Sequence, residues 1–259
     1  MAKAAARKTN WFAIWTSVIV AVIVIGTGVA VVVGNSVATS PGTAPAASNL
    51  DKDSGALLFG EGKNRVETYI DFQCPACNQF EGAYGEQLAE LADNNDITLA
   101  VHPVAILDRY SMGTNYSSRS ANAYYCVADT DSSKLQEFAT TLFANQPAEN
   151  TEGLTDEQIV GFAKDLGVDI ATCQEKATFA KFVTWSTKKL PTNPATGSSA
   201  TPTIVIDDEY QQLATIGASP TFFTDKFGAA TSTESPAPDA SASPESSSTA
   251  TPSSPTATK

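Results

Sequence analysis

The stretch Val66-Glu67-Thr68-Tyr69-Ile70-Asp71-Phe72-Gln73-Cys74-Pro75-Ala76-Cys77 runs from a strand, through a sharp junction, into the start of a helix. Val66, Thr68, Ile70 and Phe72 recur at the two-residue period of a strand with one face in a core. Beyond the cysteines the period changes, and Phe80, Tyr84, Leu88 and Leu91 mark one face of a helix. A second strand follows at Ile97, Leu99 and Val101, so the segment reads as a βαβ unit.

The junction places Cys74 at the N-cap of that helix and Pro75 at N1, where a missing N–H costs nothing. Unpaired amides of the first turn and the positive end of the helix dipole then favour a thiolate at Cys74. A stable thiolate is a good leaving group, so the dithiol is favoured and a Cys74–Cys77 disulfide is oxidising. Cys77, one turn inside the helix, is expected to be more buried and less reactive. Two other readings of the motif are a plain local disulfide and half of a zinc site. Zinc needs two further ligands, and Cys126 and Cys173 supply no second close pair.

Further along the chain, Ser117 to Leu190 has helical periodicity. Leu135, Phe138, Ala139, Leu142 and Phe143 form an amphipathic stripe. Thr155 and Gln158 make a capping-box pattern for a helix over Asp156 to Leu166, with Leu154 and Ile159 as staple and Gly167 at C′. Asp169 is the expected N-cap of one further helix carrying Cys173, Phe182 and Trp185. Strands then return at Thr203 to Ile206, with a turn at Asp207-Asp208 and a partner near Gln211 to Thr215. A last helix is expected with Ser219 as N-cap, Pro220 at N1 and Gly228 at C′.

Asp71-Phe72-Gln73-Cys74-Pro75-Ala76-Cys77, with Thr201-Pro202-Thr203 opening a later strand and helices between, resembles the DsbA-like branch of the thioredoxin superfamily. The resemblance covers about Ala56 to Gly228. It implies an α/β thioredoxin fold with a DsbA-like helical insertion at about 112–192. It also implies that Pro202 is a cis-proline facing the redox pair, with the Thr201 backbone turned outward to pair with an extended substrate. An ordinary trans proline opening a strand is the other reading of Pro202. Many DsbA proteins carry His where this chain has Ala76, so one donor to the thiolate is missing.

The remaining pair, Cys126 and Cys173, lies 47 residues apart on different predicted helices. Outside the cytoplasm the two either form a structural disulfide stapling the helical block or remain separate buried thiols. His102, the only histidine, reads as structural. Asp71 either assists proton transfer to the cysteines or faces solvent.

Trp11 to Val33 carries no charge, and 23 residues at a 1.5 Å rise span about 34 Å, enough for a bilayer core. Lys3, Arg7 and Lys8 precede it, which puts the N-terminus in the cytoplasm and the rest of the chain outside. The expected organisation is a basic flank at 1–10, one transmembrane signal-anchor helix at 11–33, a linker at 34–49, the folded domain at 50–228 and a disordered tail at 229–259. Of the 31 tail residues, 27 are Ser, Thr, Pro or Ala, which cannot bury a core. The central segment has 25 acidic against 12 basic side chains, a poor surface for nucleic acid.

The chain thus reads as a membrane-anchored, extracytoplasmic thiol-disulfide oxidoreductase that introduces disulfides into exported cysteine-containing proteins. Its chemistry uses the cysteine sulfurs alone, with no metal or cofactor. The resemblance implies a membrane reoxidase of the DsbB or vitamin K epoxide reductase type. Alternatives are a reductase or isomerase for a dedicated client, and a non-catalytic anchored binding module with a structural disulfide.

Overall fold

The computed structural model describes residues 40–228. The expected transmembrane helix, the first part of the linker and the tail lie outside them. Among the described residues, no helix is long and apolar enough to cross a membrane.

Five strands form one sheet in the order β1-β3-β2-β4-β5. They are β1 (Leu57–Phe59), β2 (Asn64–Ile70), β3 (Ile97–Pro103), β4 (Thr203–Ile206) and β5 (Glu209–Gln211). Between β2 and β3 runs α1 (Pro75–Asp93), and the two strands pair in parallel with Val66 opposite Leu99 and Thr68 opposite Val101. On the other side of β2, β4 pairs antiparallel, with Thr68 opposite Ile204. β1 closes the far edge antiparallel to β3.

α1 buries Cys77, Phe80, Tyr84, Leu88 and Leu91, the i, i+3, i+4 stripe of a helix laid on a sheet. The Tyr84 hydroxyl donates to the Ile216 and Ser219 carbonyls at 3.0 and 3.1 Å. Phe223 packs edge-on against Phe80 and Tyr84, so the last of the described helices is pinned to α1.

The stretch between β3 and β4 holds α2 (Tyr116–Asp131), α3 (Leu135–Ala144), α4 (Asp156–Asp165), α5 (Ala171–Glu175) and α6 (Ala180–Thr187). All five residues of the α3 stripe are buried, and Thr155 and Gln158 make both bonds of the capping box. A disulfide joins Cys126 on α2 to Cys173 on α5. One turn before Cys126, Asn122 donates to Gln174 Oε1 at 2.8 Å and accepts from the Phe179 amide at 2.8 Å.

Four local expectations are corrected. The single helix expected after Asp169 is two, α5 and α6, broken where Ala177 takes a φ of +45° and Asn122 captures the Phe179 amide. Its N-cap is Ile170, because the Asp169 carboxylate instead closes a two-residue turn onto the Ala171 amide. The partner strand of the Asp207-Asp208 turn is Glu209–Gln211, with Leu213–Ile216 helical (α7). Both turn residues have positive φ, the two-residue hairpin that pairs Ile206 directly with Glu209. The final helix, α8 (Phe222–Phe227), starts at Thr221 as N-cap, since the Ser219 hydroxyl accepts the Thr221 amide and delays it.

The linker is also docked in its last part. Ala44 and Ala47 pack against the core, the Ala46 amide donates to Asp129 Oδ1 at 2.6 Å, and Leu50 bridges to Leu57. Small side chains let this backbone lie flat on the helices, so the domain begins before residue 50.

Candidate active site

The redox motif lies where β2 ends and α1 begins, with Cys74 as N-cap and Pro75 directly after it. The Cys74 amide donates to the Asp71 carbonyl at 2.9 Å, closing the turn that aims the first sulfur outward. The Cys74 carbonyl accepts the Cys77 and Asn78 amides at 3.0 and 3.2 Å and so starts the helix. Both cysteines are free thiols. Cys74 retains 7% exposure next to the exposed Pro75 and Ala76, whereas Cys77 has none, so Cys74 is the sulfur nearer to solvent.

Thr201-Pro202, far along the chain, lies against this turn, and its peptide bond is cis. The Cys74 thiol donates to the Thr201 carbonyl at 3.3 Å. The Thr201 hydroxyl is buried without a partner in this dithiol state. It is free to donate to Cys74 once that sulfur is charged.

The Cys74 thiol is lowered from its usual 9.0 to about 6. The largest cause is the Cys77 thiol, which donates to the Cys74 sulfur; burial opposes it. The Thr201 hydroxyl follows, and then the Cys77 and Ala76 amides. Cap geometry alone puts the amides foremost, so the two neighbouring hydrogen donors outrank the feature legible in the sequence. Cys77 moves the other way, pushed well up by burial and then by its neighbour Cys74. The Asp71 amide donates to its sulfur at 3.4 Å.

Asp71 is buried and does not face solvent. Its carboxylate accepts the Gln73 amide at 2.9 Å and the Ile106 and Leu107 amides at 2.9 and 3.0 Å. Burial raises it to about 6 against those bonds. Its visible work is to tie the motif turn to the loop after β3.

Gln73, unremarked in the sequence, is fully buried; its Nε2 donates to the Tyr110 carbonyl at 3.0 Å and its Oε1 accepts from Ser117 at 3.3 Å. Gln146 Nε2, just after α3, donates to the Phe72 and Cys74 carbonyls at 3.0 Å each. These two amides had no sequence signal, since each makes its contacts across tens of residues.

His102 stays apart from the sulfurs. It is buried, stacks on Tyr69 with centroids 4.0 Å apart and meets Glu67 at 2.9 Å. Burial lowers its pKa despite Glu67, so the neutral ring donates to the carboxylate, which His102 and Arg65 hold at about 2 against its own burial. A cavity of about 450 Å³ opens between α1 and α3, lined by Phe59, Leu99, Tyr124, Phe143 and Glu81. Neither motif cysteine lines it.

The arrangement of a strand-to-helix cysteine pair, an opposed cis Thr-Pro bond and an inserted helical block agrees with three comparisons. The family model described as thioredoxin matches residues 59–217. The crystal structure of reduced DsbA from Mycobacterium tuberculosis is 26% identical, with a TM-score of 0.53 over 67% of this chain and 94% of that one. Reduced DsbG of the same organism, a disulfide bond oxidoreductase, is 29% identical, with a TM-score of 0.53 over 70% and 86%. MdbA, a thiol-disulfide oxidoreductase from Corynebacterium diphtheriae, shares the fold at 22% identity, with a TM-score of 0.55 over 73% and 97%. Among curated proteins, the serine/threonine-protein kinase PknE of Mycobacterium tuberculosis is 29% identical over 131 residues, or 44% of this chain. The chain thus spans about a quarter of the length of the curated relatives it matches, 23%. The chain belongs to the thioredoxin family, and the solved structures it resembles over most of their length include DsbA-like thiol-disulfide oxidoreductases.

Proposed function

We propose that the protein is an oxidase that donates the Cys74–Cys77 disulfide to exported proteins from a membrane anchor at Trp11 to Val33. The observation that carries this reading is the Cys74 environment: an N-cap cysteine with 7% exposure, against the cis Thr201-Pro202 bond and before a fully buried Cys77, where its neighbours lower its pKa to about 6 and burial raises that of Cys77. A substrate thiolate attacks Cys74 Sγ, the Cys74–Cys77 bond breaks, and Cys77 takes up a proton. A second substrate thiol loses its proton and attacks the substrate sulfur of the mixed disulfide, expelling Cys74 as a thiolate. Two electrons pass to the enzyme, and the substrate leaves with one new disulfide. The low Cys74 value acts in this second half, where Cys74 is the leaving group.

The Thr201 carbonyl beside Cys74 gives an extended substrate strand a backbone acceptor next to the reacting sulfur. Two electrons must then leave the dithiol, and a membrane quinone-linked reoxidase of the DsbB or vitamin K epoxide reductase type fits an anchored enzyme. The uncharged span with positive flanking residues on one side supports an extracytoplasmic domain, where exported substrates are found. Replacing Cys77 by Ala removes the thiol that would release a stalled complex. Expression of that variant is expected to trap exported cysteine-containing proteins on Cys74, seen as reductant-sensitive adducts on gels. Adducts that form through Cys77 in a Cys74→Ala variant, with none through Cys74, would reverse the assignment.

A further inference from the structure

Among the side chains that hold the turn carrying Cys74, Gln146 is the one that bonds its backbone carbonyls from the helical insertion. Gln146 sits immediately beyond Asn145, the C-cap of α3, and Pro147 prevents the helix from continuing. Its amide nitrogen reaches the Phe72 and Cys74 carbonyls, each at 3.0 Å. Asn78 Nδ2 donates to Gln146 Oε1 at 3.3 Å and to the Phe143 carbonyl at 3.0 Å. Two carbonyls at one end and an amide donor at the other permit a single orientation of the Gln146 amide.

The Cys74 carbonyl is the hub of this arrangement. Besides Gln146 it accepts the Cys77 and Asn78 amides, which open α1. The orientation of that peptide sets where the Ala76 and Cys77 amides point, and those amides face the Cys74 sulfur. The Phe72 carbonyl precedes the turn and the Cys74 carbonyl lies within it, so one side chain spans the bend.

We propose that Gln146, a residue of the helical insertion, is a positioning residue for Cys74, clamping the Phe72 and Cys74 carbonyls so that the donors of the motif turn stay aimed at the sulfur. It touches neither cysteine sulfur and acts through the backbone. The insertion on this view is part of the redox apparatus, because it supplies the side chain that bonds both carbonyls of the turn. The inference rests on the reading of Cys74 as the reactive thiolate.

The test compares full-length wild type with Gln146→Leu, which cannot donate, and Gln146→Glu, which offers the carbonyls only an acceptor. Thr151→Ala, at an exposed position on the same connection, serves as control. Thiolate absorbance followed against pH gives the Cys74 midpoint, and a glutathione titration gives the redox equilibrium. Both Gln146 variants are expected to raise the midpoint by about half to one pH unit and to move the equilibrium roughly three- to ten-fold toward the disulfide, with Thr151→Ala unchanged. A folded Gln146 variant that titrates with wild type would overturn the inference, as would a failure of both variants to fold, which would make Gln146 a stability residue. A wild-type Cys74 midpoint at the ordinary thiol value would instead refute the reading of Cys74 beneath it.

Discussion

Cys74 Sγ lies 3.3 Å from the carbonyl oxygen of Thr201, a residue 127 positions away whose buried hydroxyl has no hydrogen-bond partner. The protonated sulfur donates to the carbonyl; the charged sulfur has the hydroxyl within reach. One residue therefore serves both states, and the hydroxyl biases the pair toward the thiolate. Thr201→Val keeps the shape and the carbonyl but removes the donor. Its Cys74 midpoint should rise above about 6 by roughly half to one unit, read by thiolate absorbance. A midpoint equal to that of wild type would show that the hydroxyl does not reach the sulfur.

The same thiolate makes the stability of the reduced protein depend on pH. The folded value of Cys74, about 6, lies below its ordinary 9.0, so its contribution is complete above 9.0 and disappears as pH falls to about 6. Cys77, raised by burial, acts in the opposite sense only above its ordinary value. Asp71, raised from 3.8 to about 6, changes stability between those values and so below this window. Denaturant unfolding of the reduced and oxidised forms should therefore show the reduced form gaining on the oxidised one between pH 6 and 9. A constant gap across that window would contradict the lowered Cys74 value.

The two cysteine pairs should part in graded reductant. A Cys74–Cys77 bond breaks to yield a stabilised thiolate, whereas Cys126 is wholly buried and its bond to Cys173 has no such help. Alkylation with mass mapping should find Cys74 and Cys77 labelled first. Labelling of Cys126 at the same reductant concentration would count against the division of roles.

Replacing Cys126 and Cys173 together by Ser should cost stability without touching the redox site. Opening a 47-residue loop corresponds to roughly 3–4 kcal/mol of lost stabilisation in the chain-entropy model. The Cys74 midpoint should stay put in the double variant. A fall in stability well under 1 kcal/mol would show that the α2 and α5 packing, with Asn122 on Gln174, holds the block unaided.

Where local chemistry decides the structure, the sequence could be read directly. Cys74 followed by Pro75 is a cap signal contained in two residues, and Thr155 with Gln158 is contained in four. The alternation from Val66 to Ile70 similarly reports a strand whose partners need not be known. What escaped depends on distant partners. The break between α5 and α6 is made by Asn122, 57 residues from the amide it captures. The β5 boundary was missed because the length of the Asp207-Asp208 turn, not the apolar pattern, sets the register. At the site, Gln146 and the Thr201 hydroxyl act across 72 and 127 residues, and no spacing rule in one sequence links them to Cys74. The order of the influences on Cys74 was hidden too: Cys77 is visible in the motif, but that its thiol points at the Cys74 sulfur is set by the fold, and Thr201 arrives from 127 residues away.

The central claim is that the fold makes the Cys74–Cys77 disulfide oxidising, and its most direct test is the equilibrium of that pair with glutathione. The account predicts a potential clearly above the roughly −270 mV of thioredoxin, so that the dithiol persists in buffers where a structural disulfide stays closed. A Cys74–Cys77 bond at or below that value, still oxidised when Cys126 and Cys173 are already reduced, would contradict it.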